Sequence, residues 1–574
     1  MLPVLLALAA SVPCDPSLVQ APGRARAAPA ASPDRGAGRA TLYRNGTIEL
    51  NDGRGTTAEA LLSLDGWVVA VGTPEKLRAM PEGKNAQEID LRRQTAVPGL
   101  QDAHGHVISY GASLEELDLR SCKTFEDLVK RVAARAATAK AGSWIVGRGW
   151  DQNLWPDKAF PVHTKLSAAS PRNPVYLVRI DGHAALANRA ALTLAKLEQE
   201  YRAEPHVQGG RVLLGPDSRP SGILVDRGMD LVSSLIPKPS RAEIESRILA
   251  AQEKLLAFGL TCVHDMGVTR EELEVYEKLR ASGRLSLRIV AYLAGTEELT
   301  DQMVEGLPLA PDARDVLSCP GVKLVADGAL GSRGAALLAD YADAPKERGH
   351  LILDERALSA RIAICQKYGL QPAVHAIGDL ANRTVLNVYE TLLTVDPKAI
   401  ELRPRVEHAQ VVALRDWARF PSLGVIPSMQ PVHAISDMPW AVDRLGIERS
   451  RGAYAWRALA PELGRLAFGS DFPVESPDPV AGLFAARMRS NPGDSPDEEL
   501  SSDQSLDGIA ALGGFTSGAA YAAHQDERRG RLLPGYATDM TVLTIDPVTC
   551  SPEDLRAARV TMTIINGAIV WRAQ

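Results

Sequence analysis

An α/β fold, a closed parallel (β/α)8 barrel joined to a small composite β-sandwich made from both termini, is predicted by three observations. Short apolar β-like runs alternate with helix-patterned stretches through the middle of the chain. Both ends are β-rich and carry tight-turn signals. Histidines, a lysine and an aspartate stand where the apolar runs end.

At 574 residues the chain is too long for one small core and has room for about two to four units. Residues 2–10 are apolar, small residues follow, and an Ala/Pro/Arg-rich stretch covers 22–39. That run is too short to cross a bilayer and resembles the core of a secretory signal. No positive charge precedes it, and Pro13 before Cys14 departs from a lipoprotein cleavage box. Residues 1–40 therefore read as a signal-like leader and disordered linker. This favours export (periplasmic, secreted or lipid-anchored) over a cytoplasmic location, with no transmembrane span.

Residues 41–95 read as the N-terminal part of the composite β domain. Within them 41–50 is a strand, turn and strand, and 60–72 is a hairpin turning at Asp65-Gly66. Residues 531–574 form its C-terminal part, with strands at 541–545 and 560–571 and an Asn566-Gly567 turn. Between them, 96–530 is the barrel. Its β-like runs lie at 96–100, 261–264, 288–293, 322–326, 372–375, 406–408, 425–429 and 466–470, with clear helical patterning at 241–258 and 358–368. Eight such repeats describe a TIM-type barrel, whose active site belongs at the C-terminal ends of its strands. A long insertion, 107–239, follows the first barrel strand and is expected to cap or shape a substrate pocket.

Composition narrows the function. Apolar residues at 45% and charged residues at 23% are ordinary for a soluble globular protein. A net charge of -6, without Lys/Arg clusters interleaved with aromatics, argues against nucleic acid as a partner. Six scattered cysteines (14, 122, 262, 319, 365 and 550), with no Cys-x-x-Cys, read as apolar filling rather than a disulfide or zinc framework.

Five segments carry the chemistry: Asp102-Ala-His104-Gly-His106, Val322-Lys323-Leu324, Val374-His375-Ala376, Glu407-His408-Ala409 and Gly469-Ser470-Asp471. Together they offer six ligands suited to two hard-to-borderline cations. Each alone is weak. Eleven histidines in this length give about 0.2 chance His-x-His pairs, and a lone strand-end histidine is ordinarily a satisfied structural side chain. Asp471 by itself would read as a turn or helix cap. Lys323 is odder, because lysine is rarely buried without a partner. It either snorkels, pairs with Asp327, or is modified to bridge metals. The ordered set of five is what becomes specific.

Further motifs extend the pattern: Pro98-Gly-Leu-Gln-Asp-Ala-His104, Gly149-Trp150-Asp151-Gln-Asn-Leu-Trp155, Asp181-Gly-His183-Ala, Asp327-Gly-Ala-Leu-Gly-Ser-Arg333 and His375-Ala-Ile-Gly-Asp379. From about residue 41 to 571 the chain resembles the amidohydrolase superfamily. Within it, the similarity is to amidohydrolase family 3, the large-insertion branch that includes N-substituted formamide deformylase. The resemblance implies that His104 and His106 hold the more buried metal together with Asp471. It implies that His375 and His408 hold the second metal, and that Lys323 becomes an N-carboxylated bridge. A carbamate is a sensible bridge, since an ammonium repels cations whereas its carbamate is an anionic two-oxygen ligand.

The implied cofactor is zinc, two divalent ions per chain. The implied partner is a small-molecule amide-type substrate, such as an N-acyl or N-formyl amine. Two cations about 3.5–4 Å apart share a water and bring its pKa toward neutrality, and Asp471 acts as general acid/base. Among second-tier candidates, His183 and His433 stabilise the oxyanion or hold a polar substrate group, unless they are hydrogen-bonded loop histidines. Arg333 binds a substrate carboxylate, unless it is a surface arginine. Trp150, Asp151 and Trp155 form an apolar wall, unless they are the insertion's own core. Asp327 and Glu407 orient ligands. His264 and Asp265 end the second run, but two-metal coordination is complete without them. The alternatives are a mononuclear deaminase, which normally lacks a bridging lysine, a lactone, ester or phosphoester hydrolase, and a non-catalytic small-molecule-binding barrel. A homodimer is left open.

Overall fold

The computed structural model describes residues 39–574 apart from 153–154, 180–183, 199–205, 208–209, 312–314, 463 and 491–501. The expected leader therefore lies outside the described residues. No helix among them is long and apolar enough to cross a membrane.

Eight parallel strands form the central sheet: β1 (Leu100–Gly105), β2 (Leu260–Val268), β3 (Arg288–Ala294), β4 (Leu317–Val325), β5 (Gln371–Ala376), β6 (Arg405–His408), β7 (Ile426–Met429) and β8 (Ala467–Phe468). Each pairs with its neighbour in sequence order, so the sheet curls into a nearly closed barrel. Helices return the chain between strands. The helix Arg241–Ala257 shows how: Ser240 and Glu243 complete a capping box at its start, and Ile244, Ile248, Ala251 and Leu255 form its buried stripe.

The seam between β1 and β8 is closed just beyond the strands themselves. Asp471 N–H donates to the His104 carbonyl at 2.7 Å, and His106 N–H donates to the Phe472 carbonyl at 2.9 Å. Asp102 accepts from the Ser470 N–H at 3.1 Å and from its hydroxyl at 2.6 Å. These bonds draw the His104–His106 segment and Asp471 to one point on the rim.

One expected element differs. The run 96–100 is not the first barrel strand: Thr95–Pro98 pairs with Thr47–Glu49 on one side and Met540–Leu543 on the other. The barrel starts at Leu100. Gly99 makes the handover, because a Cβ there would lie 2.3 Å from Thr261 Oγ1 on β2. Apolar content alone does not say which of two adjoining sheets a run joins.

The first and last described strands meet in one packed unit. A four-stranded sheet (Ala40–Arg44, Ala60–Leu64, Trp67–Gly72, Gln87–Asp90) faces a six-stranded one that holds Thr95–Pro98 and the three C-terminal strands. Tyr43, Ile48 and Leu61 share a core with Met540, Val542 and Ile564. Asp65-Gly66 and Asn566-Gly567 all have positive φ, as two-residue type I′ hairpins require. The segment after β1 builds a separate seven-stranded sheet running from Leu117–Asp118 to Pro220–Asp226. Its own core includes Leu119, Trp150, Trp155, Leu177 and Ile223.

Candidate metal centre

Strand alternation aims the candidate ligands inward. In β4, Val322 and Leu324 pack in the hydrophobic core, so Lys323 between them faces the barrel axis. β6 breaks this rule. Glu407 and His408 are consecutive, yet Glu407 bonds His104 and His408 lines the central cavity. Two successive residues can face one side only if the backbone departs from extended geometry, and His408 has φ 71°. Asp471, just past β8, has φ 60°. Left-handed backbone at two non-glycine residues costs about 1–3 kcal/mol each, which marks both positions as held by their surroundings.

The side chains converge. His104 Nε2 lies 3.1 Å from Lys323 Nζ and 3.5 Å from Asp471 Oδ1. His106 Nε2 is 3.2 Å from the same Asp471 oxygen. The His408 ring centroid is 4.5 Å from that of His375 and 4.7 Å from that of His104. His433 stacks parallel to His408 and places Nε2 3.9 Å from Asp471 Oδ2. Two groups, His104/His106/Asp471 and His408/His433/Asp471, present donor atoms all within 4.8 Å of one another, and Asp471 belongs to both. His433 thus sits with the candidate ligands, nearer than its expected role in holding substrate required.

The donor set fits divalent cations. The His104 Nδ1–H donates to Glu407 Oε2 at 2.7 Å, and His408 Nδ1 bonds Gln430 Oε1 at 2.7 Å, which leaves each Nε2 facing the cluster. His375 Nε2 and His433 Nε2 are buried without a hydrogen-bond partner among the described residues, an expensive state unless a ligand completes them. Burial pushes His104 down to about 4 and His375 to about 3, and holds His408 well below its ordinary value. Neutral imidazoles with free lone pairs are what a metal requires. Burial also lowers Lys323 to about 8. Asp471 is held well below the usual carboxylate range by its hydrogen bond to His106 and by the neighbouring imidazoles, against its own burial.

Two carboxylates brace the rim. Asp327 accepts from the N–H groups of Ala336, Ile377 and Gly378 at 2.8–2.9 Å and lies 3.6 Å from His375 Nε2. It therefore steadies the loops after β4 and β5 rather than pairing with Lys323. Asp265 accepts from Val107 N–H and from the Tyr276 hydroxyl, fixing the helix Val107–Glu115 directly behind His106. His264 is buried against Arg405.

A cavity of about 870 Å³ opens over the cluster. Its walls come from the loop after β4 (Gly328–Ser332 and Ile352), from Gln410, from the helices Pro431–Ser436 and Met438–Leu445 (Asp437, Trp440, Arg444), and from Val474 and Glu475. No described residue of the insertion lines it. Three expectations are corrected accordingly. Trp150 is fully buried in the insertion, donates to the Leu177 carbonyl at 2.8 Å and stacks on Trp155. Asp151 pairs with Arg179 at 3.0 Å. Arg333 turns to Asp343 at 2.8 Å and is not part of the cavity wall. Arg444, which also pairs with Asp343, lines the cavity where Arg333 does not. His183 lies outside the described residues. Trp440, Arg444 and Gln430 were not expected. They sit on short helices and turns whose course no sequence period reveals.

Comparison with known proteins agrees with this geometry. The profile of the amidohydrolase family matches residues 87–571. The chain is 32% identical over 540 residues to the protein LONG AFTER FAR-RED 3 of Arabidopsis thaliana, covering 92% of this chain and 90% of that one. It is 23% identical over 545 residues to N-substituted formamide deformylase of Arthrobacter pascens, covering 92% and 97%. A solved structure of an uncharacterized metal-dependent hydrolase from Pyrococcus horikoshii OT3 superposes with a TM-score of 0.76 at 30% identity, over 89% of this chain and 99% of the other. A match that spans the composite sheet, the insertion and the barrel alike means that this chain belongs to the amidohydrolase family and is a hydrolase.

Proposed function

We propose that this hydrolase cleaves an amide-type C–N bond, that of an N-acyl or N-formyl amine, with two divalent cations, zinc being the ion its donors suit. One observation carries the reading: Asp471 is shared between two donor groups, with Lys323 3.1 Å from His104 of the first. His104, His106 and Asp471 would hold one ion. His375 and His408, with His433 alongside, would hold the other. Lys323 would bridge them as a carbamate, its free amine adding to CO2 with loss of a proton. When bound, such ions supply an ionised water at neutral pH and polarise a carbonyl.

The remaining work belongs to the chain. Asp471, with one oxygen toward His106 and the other toward His433, takes the proton of the attacking water. It returns that proton to the leaving nitrogen, which otherwise departs poorly. Acid–base help of this kind contributes about 10²–10⁴-fold. The wall formed by Leu330, Ile352, Trp440 and Val474 receives the apolar part of the substrate and excludes water from it. The formamide-cleaving relative supports this choice of bond.

The test is hydrolysis of a panel of N-formyl and N-acyl amines by zinc-loaded protein, with Asp471→Asn as control and with metal counted per chain. Activity on the panel with two ions bound is expected. One ion per chain, with release of ammonia from an exocyclic amine, would favour a mononuclear deaminase instead.

A further inference from the structure

We propose that Arg405 is a positioning residue for the metal centre: acting through Glu407, it fixes the tautomer of His104 and so sets the affinity of the His104/His106/Asp471 group for a divalent cation. The inference rests on the metal reading above.

Arg405 opens β6, two residues before Glu407, so the two side chains share the inner face of one strand. Both are fully buried. The guanidinium grips the carboxylate with two prongs, Nε to Oε1 at 2.7 Å and Nη2 to Oε2 at 3.1 Å. Its three remaining N–H groups reach the Tyr292 hydroxyl at 2.9 Å, His264 Nδ1 at 3.0 Å and, from one Nη2 N–H shared between them, the Ala103 carbonyl at 2.8 Å and Ser428 Oγ at 2.9 Å. One cation therefore ties β1, β2, β3 and β7 to the strand that carries His408.

Guanidinium can only donate, so each of its partners must accept. Glu407 is thereby committed as an ionised acceptor. The hydrogen in the 2.7 Å contact between Glu407 Oε2 and His104 Nδ1 must then reside on the imidazole. His104 Nε2 is left with its lone pair pointing toward Lys323 and Asp471. Without Arg405, Glu407 would be a buried carboxylate lacking both its counter-charge and its fixed orientation. The ring of His104 would lose the contact that aims it.

The experiment compares wild type, Arg405→Met, Arg405→Lys, Glu407→Gln and the double variant Arg405→Met/Glu407→Gln. Each is stripped of metal and titrated with Zn²⁺ against a chelator, with thermal unfolding followed in parallel. Arg405→Met is expected to weaken one of two zinc sites by about 10–100-fold, the range for lost ligand support. Arg405→Lys, which keeps the charge but not the fork, should recover part of that loss. The double variant should bind no worse than Glu407→Gln alone, because both changes break one chain of contacts. A purely structural arginine would instead give losses that multiply, and that result would overturn the proposal. So would folded Arg405→Met with wild-type affinity. Should Arg405→Met fail to fold, Arg405→Lys decides: about tenfold weaker binding supports the role, and unchanged affinity overturns it. A wild type that takes up no Zn²⁺ would sink the metal reading itself, an outcome distinct from variants that bind as well as a competent wild type.

Discussion

Asp102 accepts the Ser470 hydroxyl at 2.6 Å across the barrel seam, and that bond holds Asp471 against His104 and His106. The backbone around it has no slack. A Cβ at Gly469 would come 2.5 Å from the His104 nitrogen and 2.6 Å from Asp102 Oδ1. Gly469→Ala is therefore expected to push the two ligand segments apart and to weaken zinc binding about tenfold or more, the scale seen when ligand support is lost. Ser470→Ala, which removes only the hydroxyl, should cost about 1–3 kcal/mol of stability by leaving buried Asp102 under-satisfied. Zinc titration reads the first effect and urea denaturation the second.

Lys323 should make metal loading depend on bicarbonate. Burial lowers its amine to about 8, so a large free-amine fraction exists at pH 8 and little at pH 6. Zinc uptake by stripped wild type should therefore quicken with added bicarbonate at pH 8 and hardly respond at pH 6. Lys323→Met should take up zinc poorly and ignore bicarbonate. Equal bicarbonate responses in wild type and variant would contradict the bridge.

Two tryptophans should separate pocket from scaffold. Trp440 lines the cavity, and Trp440→Ala is expected to raise KM about tenfold on substrates with an apolar substituent, roughly the worth of 1.4 kcal/mol of lost contact, while unfolding changes little. Trp150 packs inside the insertion. Trp150→Phe should lose about 1–3 kcal/mol through its broken hydrogen bond and leave kcat/KM near wild type. Steady-state kinetics beside thermal melts of both variants distinguish these patterns.

The His375 imidazole gives a pH signature in metal-free protein. Burial lowers it from 6.5 to about 3, so below pH 6.5 the unfolded chain binds a proton that the native chain refuses. Its contribution to stability is complete above 6.5 and is lost as pH falls toward 3. His375→Asn cannot titrate. The stability of wild type relative to that variant should thus fall by at most about 1.4 kcal/mol per pH unit below 6.5. Urea denaturation of both proteins at pH 7.5, 6 and 5 measures this, and a constant difference would count against the neutral imidazole.

What could be read in the sequence was what repeats or stands out. Strand runs alternate with helical patterns, so the eight-repeat barrel was legible, whereas the sequence left Lys323 open between snorkelling, pairing with Asp327 and bridging metals. The two positive-φ turns announced themselves as Asp65-Gly66 and Asn566-Gly567. Arg405 was readable in principle from its two-residue spacing to Glu407, which puts both on one strand face. Trp150 and Asp151 misled because an insertion large enough to have its own core uses the same aromatics and ion pairs as a pocket wall. Trp440 and Arg444 were invisible because short helices after β7 owe their place to packing, not to pattern. The run 96–100 was read as one barrel strand, although its part up to Pro98 joins the composite sheet, because both sheets call for the same apolar run.

That last strand has a consequence for biosynthesis. Thr95–Pro98 is completed by Met540–Leu543, residues the ribosome makes more than four hundred positions later. Until they emerge, one side of the strand offers open backbone donors and acceptors to any neighbouring chain. A polypeptide cut short before its final strands would keep that border unpaired, with the tendency to aggregate that an open strand edge brings.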